Sequence, residues 1–341
     1  LGGILKTGIL SGKSYSEIKS ILEESGFSDI PAEKVTYWLY RRRIKDFMEM
    51  NNLPKKLRGY LNNNFSPGFY DPSGSFLSDD LSTKYLFKTR SGYPVESVYI
   101  PDNKRNTICI SSQAGCRMAC TYCHTGKIGF HGNLGTDEIL NQVVSIKETD
   151  NLTHVVFMGM GEPLDNYHNV LRALNILTAQ WGFAFSPRNI TVSTIGLKPR
   201  LEGFIGSTRC NIAISFHSPF DEERDELIPS CDKYSVEELL GLIRTYKWEK
   251  NRRVTFQYIM IDGVNDSDIH LDRLICILKG TTIRINLMNY HPFEGSTIQN
   301  SPDHIKLHFK KQLIKNGISA SIRISRGQDI GAACGLLGIR S

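Results

Sequence analysis

No apolar run in this chain approaches the roughly 18 residues that a membrane-spanning helix needs. There is also no internal repeat and no low-complexity tract. These absences argue against a helical membrane protein and against a repeat architecture. Leu1 to Lys6 shows no charged leader ahead of an apolar core, so no signal peptide is expected there and the native start stays open. Charge of one sign is not abundant either. The 41 Lys and Arg residues against 35 Asp and Glu give a net +6, which permits nucleic acid binding without establishing it. A disulfide framework is not expected for eight cysteines in 341 residues without a secretion signal. Four of those cysteines fall between Cys109 and Cys123. That clustering points to a metal or redox site in a reducing compartment, by default the cytosol.

The rest divides into three stretches. Residues 1–64 read as helical and basic, a small accessory domain. Ser16 is a candidate cap for a helix carrying Ile18, Ile21 and Leu22. Arg41, Arg42, Arg43, Lys45, Lys55, Lys56 and Arg58 form either a solvated face or a phosphate-contacting surface. Residues 65–105 form a linker whose segment 84–101 alternates around Ser91-Gly92, the pattern of a β-hairpin. From residue 106 to 341, strand-like runs at 107–111, 154–158, 189–194, 211–216, 253–261 and 282–288 alternate with helix-like runs. A last helix at 303–315 leads into a strand at 319–325. Repeated βα units argue for parallel strands. No G-x-G-x-x-G follows the first strand, so six units fit a partial or complete (βα) barrel better than a dinucleotide-binding sheet.

Cys116-Arg-Met-Ala-Cys120-Thr-Tyr-Cys123 follows directly on that first strand, at the end where barrels build their sites. Three thiolates can hold three irons of a cubane and leave the fourth iron open. A structural zinc site completed by Cys109 or His124 is the alternative, although no second cysteine pair is present. Cys334 and Cys109, taken alone, also read as small core residues.

With Tyr122 before the third cysteine, the C-x3-C-x-aromatic-C pattern resembles the radical S-adenosylmethionine (SAM) superfamily. The resemblance implies a 4Fe–4S cluster on Cys116, Cys120 and Cys123. It further implies that SAM chelates the open iron and is cleaved by one electron to a 5′-deoxyadenosyl radical. Candidate SAM contacts follow at successive strand ends: Gly161 and Glu162 in Met158-Gly-Met-Gly-Glu162-Pro163, then Ser193, then Ser215, Phe216 and His217.

Longer segments resemble the RlmN/Cfr family of RNA adenine methyltransferases over nearly the whole chain. They are Val95-Glu96-Ser-Val-Tyr-Ile-Pro, Cys109-Ile-Ser-Ser-Gln-Ala-Gly-Cys116, Gly126-Lys-Ile-Gly-Phe130, Phe157 to Leu164, Ser218 to Pro229 and Arg323 to Gly335. The resemblance implies an α/β fold, a partial (βα)6 radical SAM barrel with an N-terminal helical accessory domain that binds RNA and a connecting β-hairpin. It implies two SAM molecules per turnover. Cys334 takes a methyl group from the first, and the radical from the second activates that methyl group for addition to adenine. Glu96 removes the ring proton, and Cys109 releases the product by forming a disulfide with Cys334. Implied partners are 23S rRNA and tRNA and an external one-electron reductant such as flavodoxin, for a cytoplasmic monomer.

The chain departs from the family pattern at Gly132 and Gly135, where arginine and threonine are common, and at Leu336, where glutamine is. His291 stands where an asparagine touching SAM is usual. Methylation of adenine carbon-2 is the leading expectation and carbon-8 the runner-up. A homologue that only binds RNA and a small electron-transfer iron–sulfur protein are the other readings. Cys210, Cys231 and Cys276 match no motif and are expected to be structural.

Overall fold

The computed structural model describes residues 8–103, 105–230 and 232–338. Leu1 and Cys231 therefore lie outside the described residues. Seven strands lie side by side in chain order, all parallel. Three antiparallel strands precede them on the same sheet. These are β1 (Gly74–Leu77), β2 (Thr83–Lys88) and β3 (Pro94–Ile100). The parallel set is β4 (Thr107–Ile110), β5 (His154–Phe157), β6 (Ile190–Thr194), β7 (Asn211–Ser215), β8 (Val254–Met260), β9 (Arg284–Asn289) and β10 (Ala320–Ile322). The edge strands β1 and β10 do not pair with each other, so the barrel is open.

Strands β5, β7 and β8 are rich in Val, Ile and Phe and nearly continuously buried, as parallel strands covered by helices must be. Helices Thr136–Val144, Tyr167–Thr178, Arg200–Ser207, Val236–Thr245, Asp268–Leu278 and Asp303–Lys315 supply the cover. The expected hairpin is β2–β3. Its turn closes through Gly92 N–H donating to the Thr89 carbonyl, with Gly92 at φ +87°. Rather than standing off the core, β3 hydrogen-bonds to β4 with Val98 opposite Cys109. This register brings Glu96 onto the sheet that carries the cysteines.

The N-terminal region is helical as expected, with two differences. Ser14, not Ser16, caps helix Tyr15–Glu24, because Glu17 three residues on completes a capping box with it. The helical turn after Ala32 ends at Arg41, and Arg43 sits at φ +55°. Two residues of the basic run dock this region to the barrel. Arg41 donates to the carbonyls of Phe183 and Gln180, while Arg43 donates to Thr149 and pairs with Asp150. Arg42 lies over the Trp38 ring. Tyr15 and Tyr40 pack on Trp181. Lys55 and Lys56 remain exposed.

Candidate functional site

The cluster loop begins where β4 ends. Gln113–Gly115 pairs antiparallel with Phe130–Asn133 across an irregular register. Gly115 (φ +73°) is required there, since a Cβ would sit 1.8 Å from the Gly129 carbonyl oxygen. Cys116, Cys120 and Cys123 then ring one cavity at the carboxyl ends of the parallel strands. Burial pushes all three thiols up, Cys116 to about 12.

The donor set suits a cubane. Three soft thiol ligands share one wall, and a cubane spreads them over three irons. Among the described residues no three His, Cys, Asp or Glu side chains converge tightly enough for a single metal ion. Zinc in a structural site needs four such donors on one ion.

The same cavity is lined by Gly161, Glu162, Ser193, Ser215, His217 and Cys334. Gly161 (φ +96°) has no room for a side chain, because a Cβ would lie 2.5 Å from Gln113 Cβ. Glu162 is buried. Its oxygens accept from Leu164 N–H at 2.9 Å and Ile195 N–H at 3.0 Å. Burial outweighs these donors and that of Thr194, and lifts its carboxyl to about 7. A buried carboxylate held only by neutral donors is a seat for a cationic group such as the SAM ammonium. The sign of the pH effect follows. Below pH 7 the free site is protonated and the cation meets a neutral acid. SAM affinity should therefore fall about tenfold between pH 8 and pH 6, measured by equilibrium dialysis of labelled SAM on the cluster-loaded protein. Glu162→Gln should bind weakly at both pH values. A wild-type affinity that does not change with pH would contradict this role.

His217 sits at φ +59° with its ring edge-on to Tyr122, 4.5 Å between centroids. Its Nδ1 accepts from Ile259 N–H at 3.0 Å. Burial, and secondarily Arg224, depress its pKa to about 3, so the ring is neutral and Nε2 carries the proton. The result is a fixed hydrogen-bond donor. Phe216 does not join the site. Strand alternation sends its ring to the opposite face, fully buried and stacked on Phe256 at 4.3 Å. Its ring is therefore not part of the cavity lining, and only its backbone lies beside Ser215 and His217.

Cys334 borders a second cavity too, together with Cys109 and His291. Burial and the neighbouring Cys334 raise the Cys109 thiol. Cys334 opens toward the cavity. The protein around it raises its thiol while Arg323 pulls the other way. His291 accepts or donates at Ser325 Oγ, 2.8 Å away, in this second cavity rather than the cluster cavity. The segment bearing Cys334 is tied to the cluster loop by two bonds. His124 N–H donates to Gly335 O at 2.7 Å, and Thr125 Oγ1 donates to Leu337 O at 2.7 Å.

Glu96 is not in either cavity. Its carboxylate lies in a third, of ≈ 570 Å³, lined also by Tyr93, His131, Met160 and Gly338. Its Oε1 is 3.5 Å from Lys84 Nζ, and its Oε2 accepts from Gly338 N–H at 2.7 Å. Val98, Met160, Ala332 and Leu337 pack into a small apolar cluster against Cys109. Glu96 and Cys109 thus stand on adjacent strands of the same sheet, with this cluster beside them, and Gly338, four residues after Cys334, is bonded to Glu96.

Two residues escaped the sequence reading. Lys84 is buried beside Glu96, and its only signal was a lysine on the inward phase of an alternating strand. Gln257 lines both the cluster cavity and the Cys109 cavity from β8, a polar residue within an apolar run. Among the departures, Leu336 is buried in the core. Gly132 faces open space, and Gly135 caps helix Thr136–Val144 against Glu138. Cys210 is buried and Cys276 exposed, so Cys276 does not fit the structural reading.

Comparisons with known proteins fit this geometry. The Radical SAM superfamily matches residues 110–275, and the ribosomal RNA large subunit methyltransferase N-terminal domain matches residues 10–66. A Bacteroides fragilis protein named probable dual-specificity RNA methyltransferase RlmN is 42% identical over 96% of this chain and 95% of its own. One of the same name from Porphyromonas gingivalis is 44% identical over 97% and 94%. The crystal structure of a radical SAM methyltransferase from Sphaerobacter thermophilus superposes with a TM-score of 0.89 at 35% identity, covering 96% of this chain and 98% of that one.

Proposed function

This chain belongs to the RlmN family of dual-specificity RNA methyltransferases within the radical SAM superfamily, and from that premise we propose how its residues carry the reaction. The substrate is adenine carbon-2 in 23S rRNA and in tRNA. Support comes from relatives named for dual RNA specificity and from the matched ribosomal RNA methyltransferase domain.

Cys116, Cys120 and Cys123 would hold the cluster, and Gly161, Glu162, Ser193, Ser215 and His217 would bind SAM beside it. Bound there, cluster and SAM supply a carbon-centred radical by one-electron cleavage. Cys334 is the methyl carrier. Its thiolate would attack the methyl carbon of one SAM, so that the S–CH3 bond forms as the bond to the sulfonium sulfur breaks and S-adenosylhomocysteine leaves, and a second SAM would be spent in activating that methyl group. Carbon bonding to adenine joins the RNA to Cys334 through a methylene bridge. Glu96 takes the ring proton once Gly338 N–H has released its Oε2, and the unpaired electron of the adduct passes to the external one-electron carrier. The Cys109 thiolate attacks the Cys334 sulfur, so that an S–S bond forms as the carbon–sulfur bond breaks, and the released methylene carbon keeps the electron pair and takes up a proton to become the methyl group. The observation that carries this reading is the position of Cys334, which borders both the cluster cavity and the cavity of Cys109. Reduction of the disulfide closes the cycle, which suits a cytoplasmic monomer served by a flavodoxin-type electron donor. His291 hydrogen-bonds the substrate-side wall through Ser325.

The test uses protein with its cluster reconstituted without oxygen, incubated with SAM, a reductant and either 23S rRNA or tRNA. Digested nucleosides are compared by mass spectrometry with 2-methyladenosine and 8-methyladenosine. The expected product from both RNAs is 2-methyladenosine. Formation of 8-methyladenosine instead would reassign the target carbon. SAM cleavage without either product would refute the RNA reading.

A further inference from the structure

The cavity that holds Cys109 and Cys334 has a volume of ≈ 390 Å³ and is lined by three arginines, Arg105, Arg323 and Arg326. None of their guanidinium groups makes an ion pair or a hydrogen bond among the described residues. Asp102 is the one carboxylate lining the cavity, and it acts only at a distance on Arg105. Arg105 is half-buried, and Arg323 and Arg253 repel it. His154 nearby is kept neutral, first by burial and then by Arg105 and Arg253, so it adds no charge. Other arginines of the chain have acidic partners. Arg117, Arg172 and Arg200 each meet a carboxylate.

Solvated arginines at a strand edge would be the plain explanation of such residues. Three observations weigh against it. Arg105 enters from just before the start of β4 and Arg323 from just after the end of β10, so one cavity draws them from different strands. Three like charges are concentrated there against one carboxylate, Asp102. The cavity is also the one that contains both cysteines of the proposed reaction.

We propose that Arg105, Arg323 and Arg326 seat the RNA phosphodiester backbone on either side of the adenine presented to Cys334. This rests on the RNA methyltransferase reading above. A target base has to leave its stack to reach the thiol that lines this cavity, and the phosphates flanking it must then be held at the cavity mouth. Guanidinium forks bind such oxygens two at a time, which fixes orientation as well as position. The seat is independent of base identity and so suits two different RNAs.

The experiment measures binding of a tRNA transcript to cluster-loaded wild type and to Arg105→Gln, Arg323→Gln and Arg326→Gln across a salt series. Each Gln variant should bind about tenfold more weakly at low salt, and the slope of log Kd against log salt should become shallower by about one per arginine. Cluster absorbance serves as the folding control. Where a Gln variant loses it, the Lys variant at that position decides, and the seat requires weaker binding at an unchanged slope. Wild-type affinity and slope in all the variants would overturn the proposal while leaving the methyltransferase reading intact. A wild type that neither binds nor methylates RNA would remove both.

Discussion

A Cys109→Ala variant should stop with RNA covalently attached to Cys334. The carbon–sulfur bond that ties the methylene bridge to Cys334 has no route to cleavage until a second thiolate attacks the sulfur. Cys109 and Cys334 line one cavity, and Cys334 is close enough to raise the Cys109 thiol. Without Cys109 the release step should fall by on the order of 10³-fold, leaving at most one event per enzyme. Labelled RNA should migrate with the protein on a denaturing gel. After nuclease and protease digestion, the peptide bearing Cys334 should carry the nucleotide mass. Free methylated RNA produced over many turnovers by Cys109→Ala would exclude Cys109 from release.

The second large effect concerns stability. Lys84 Nζ lies 3.5 Å from Glu96 Oε1, with side chains only 1% and 7% exposed. Lys84 also lies over the Phe76 ring, 5.3 Å from its centroid. Removing one member of a buried ion pair leaves the other charge without compensation, at a cost of about 3–5 kcal/mol. Lys84→Met should therefore lower the melting temperature by roughly 5–10 °C. Lys84→Met combined with Glu96→Gln should recover much of that loss, because the two substitutions are coupled. A Lys84→Met protein as stable as wild type would mean that the pair is not what holds Glu96 in place. The same pair bears on catalysis. With Oε1 facing Lys84, Oε2 is the oxygen left for the substrate proton, and it is the one now held by Gly338.

The barrel was legible in the sequence because parallel strands covered on both faces leave continuous apolar runs, and each run here was followed by a 3.6-period helix. The cluster loop was legible for a different reason, since three thiols in eight residues have few other uses. Local signals failed where tertiary pairing decides. Residues 65–105 read as a linker with a hairpin, yet β3 joins the main sheet through Val98 and Cys109. Period and turn chemistry identify a hairpin but not its neighbour. Ser16 and Ser14 are both plausible caps by type, and only the reciprocal bond from Glu17 separates them. Phe216 shows the limit of reading residues by adjacency, since a strand neighbour of two pocket residues necessarily points the other way. The arginines of the N-terminal region read as either solvated or RNA-facing, and the fold uses Arg41 and Arg43 for a third purpose, docking to barrel carbonyls. No periodicity could reveal that, because the acceptors lie more than 100 residues away.

The central claim is that Cys334 carries the methyl group to RNA. Its most direct test supplies methyl-labelled SAM to cluster-loaded wild type and to Cys334→Ala, without RNA and then with it, and follows the label by peptide and nucleoside mass spectrometry. The account predicts label on the Cys334 peptide first and on 2-methyladenosine afterwards, with neither in Cys334→Ala. Methyladenosine formed by Cys334→Ala would contradict it.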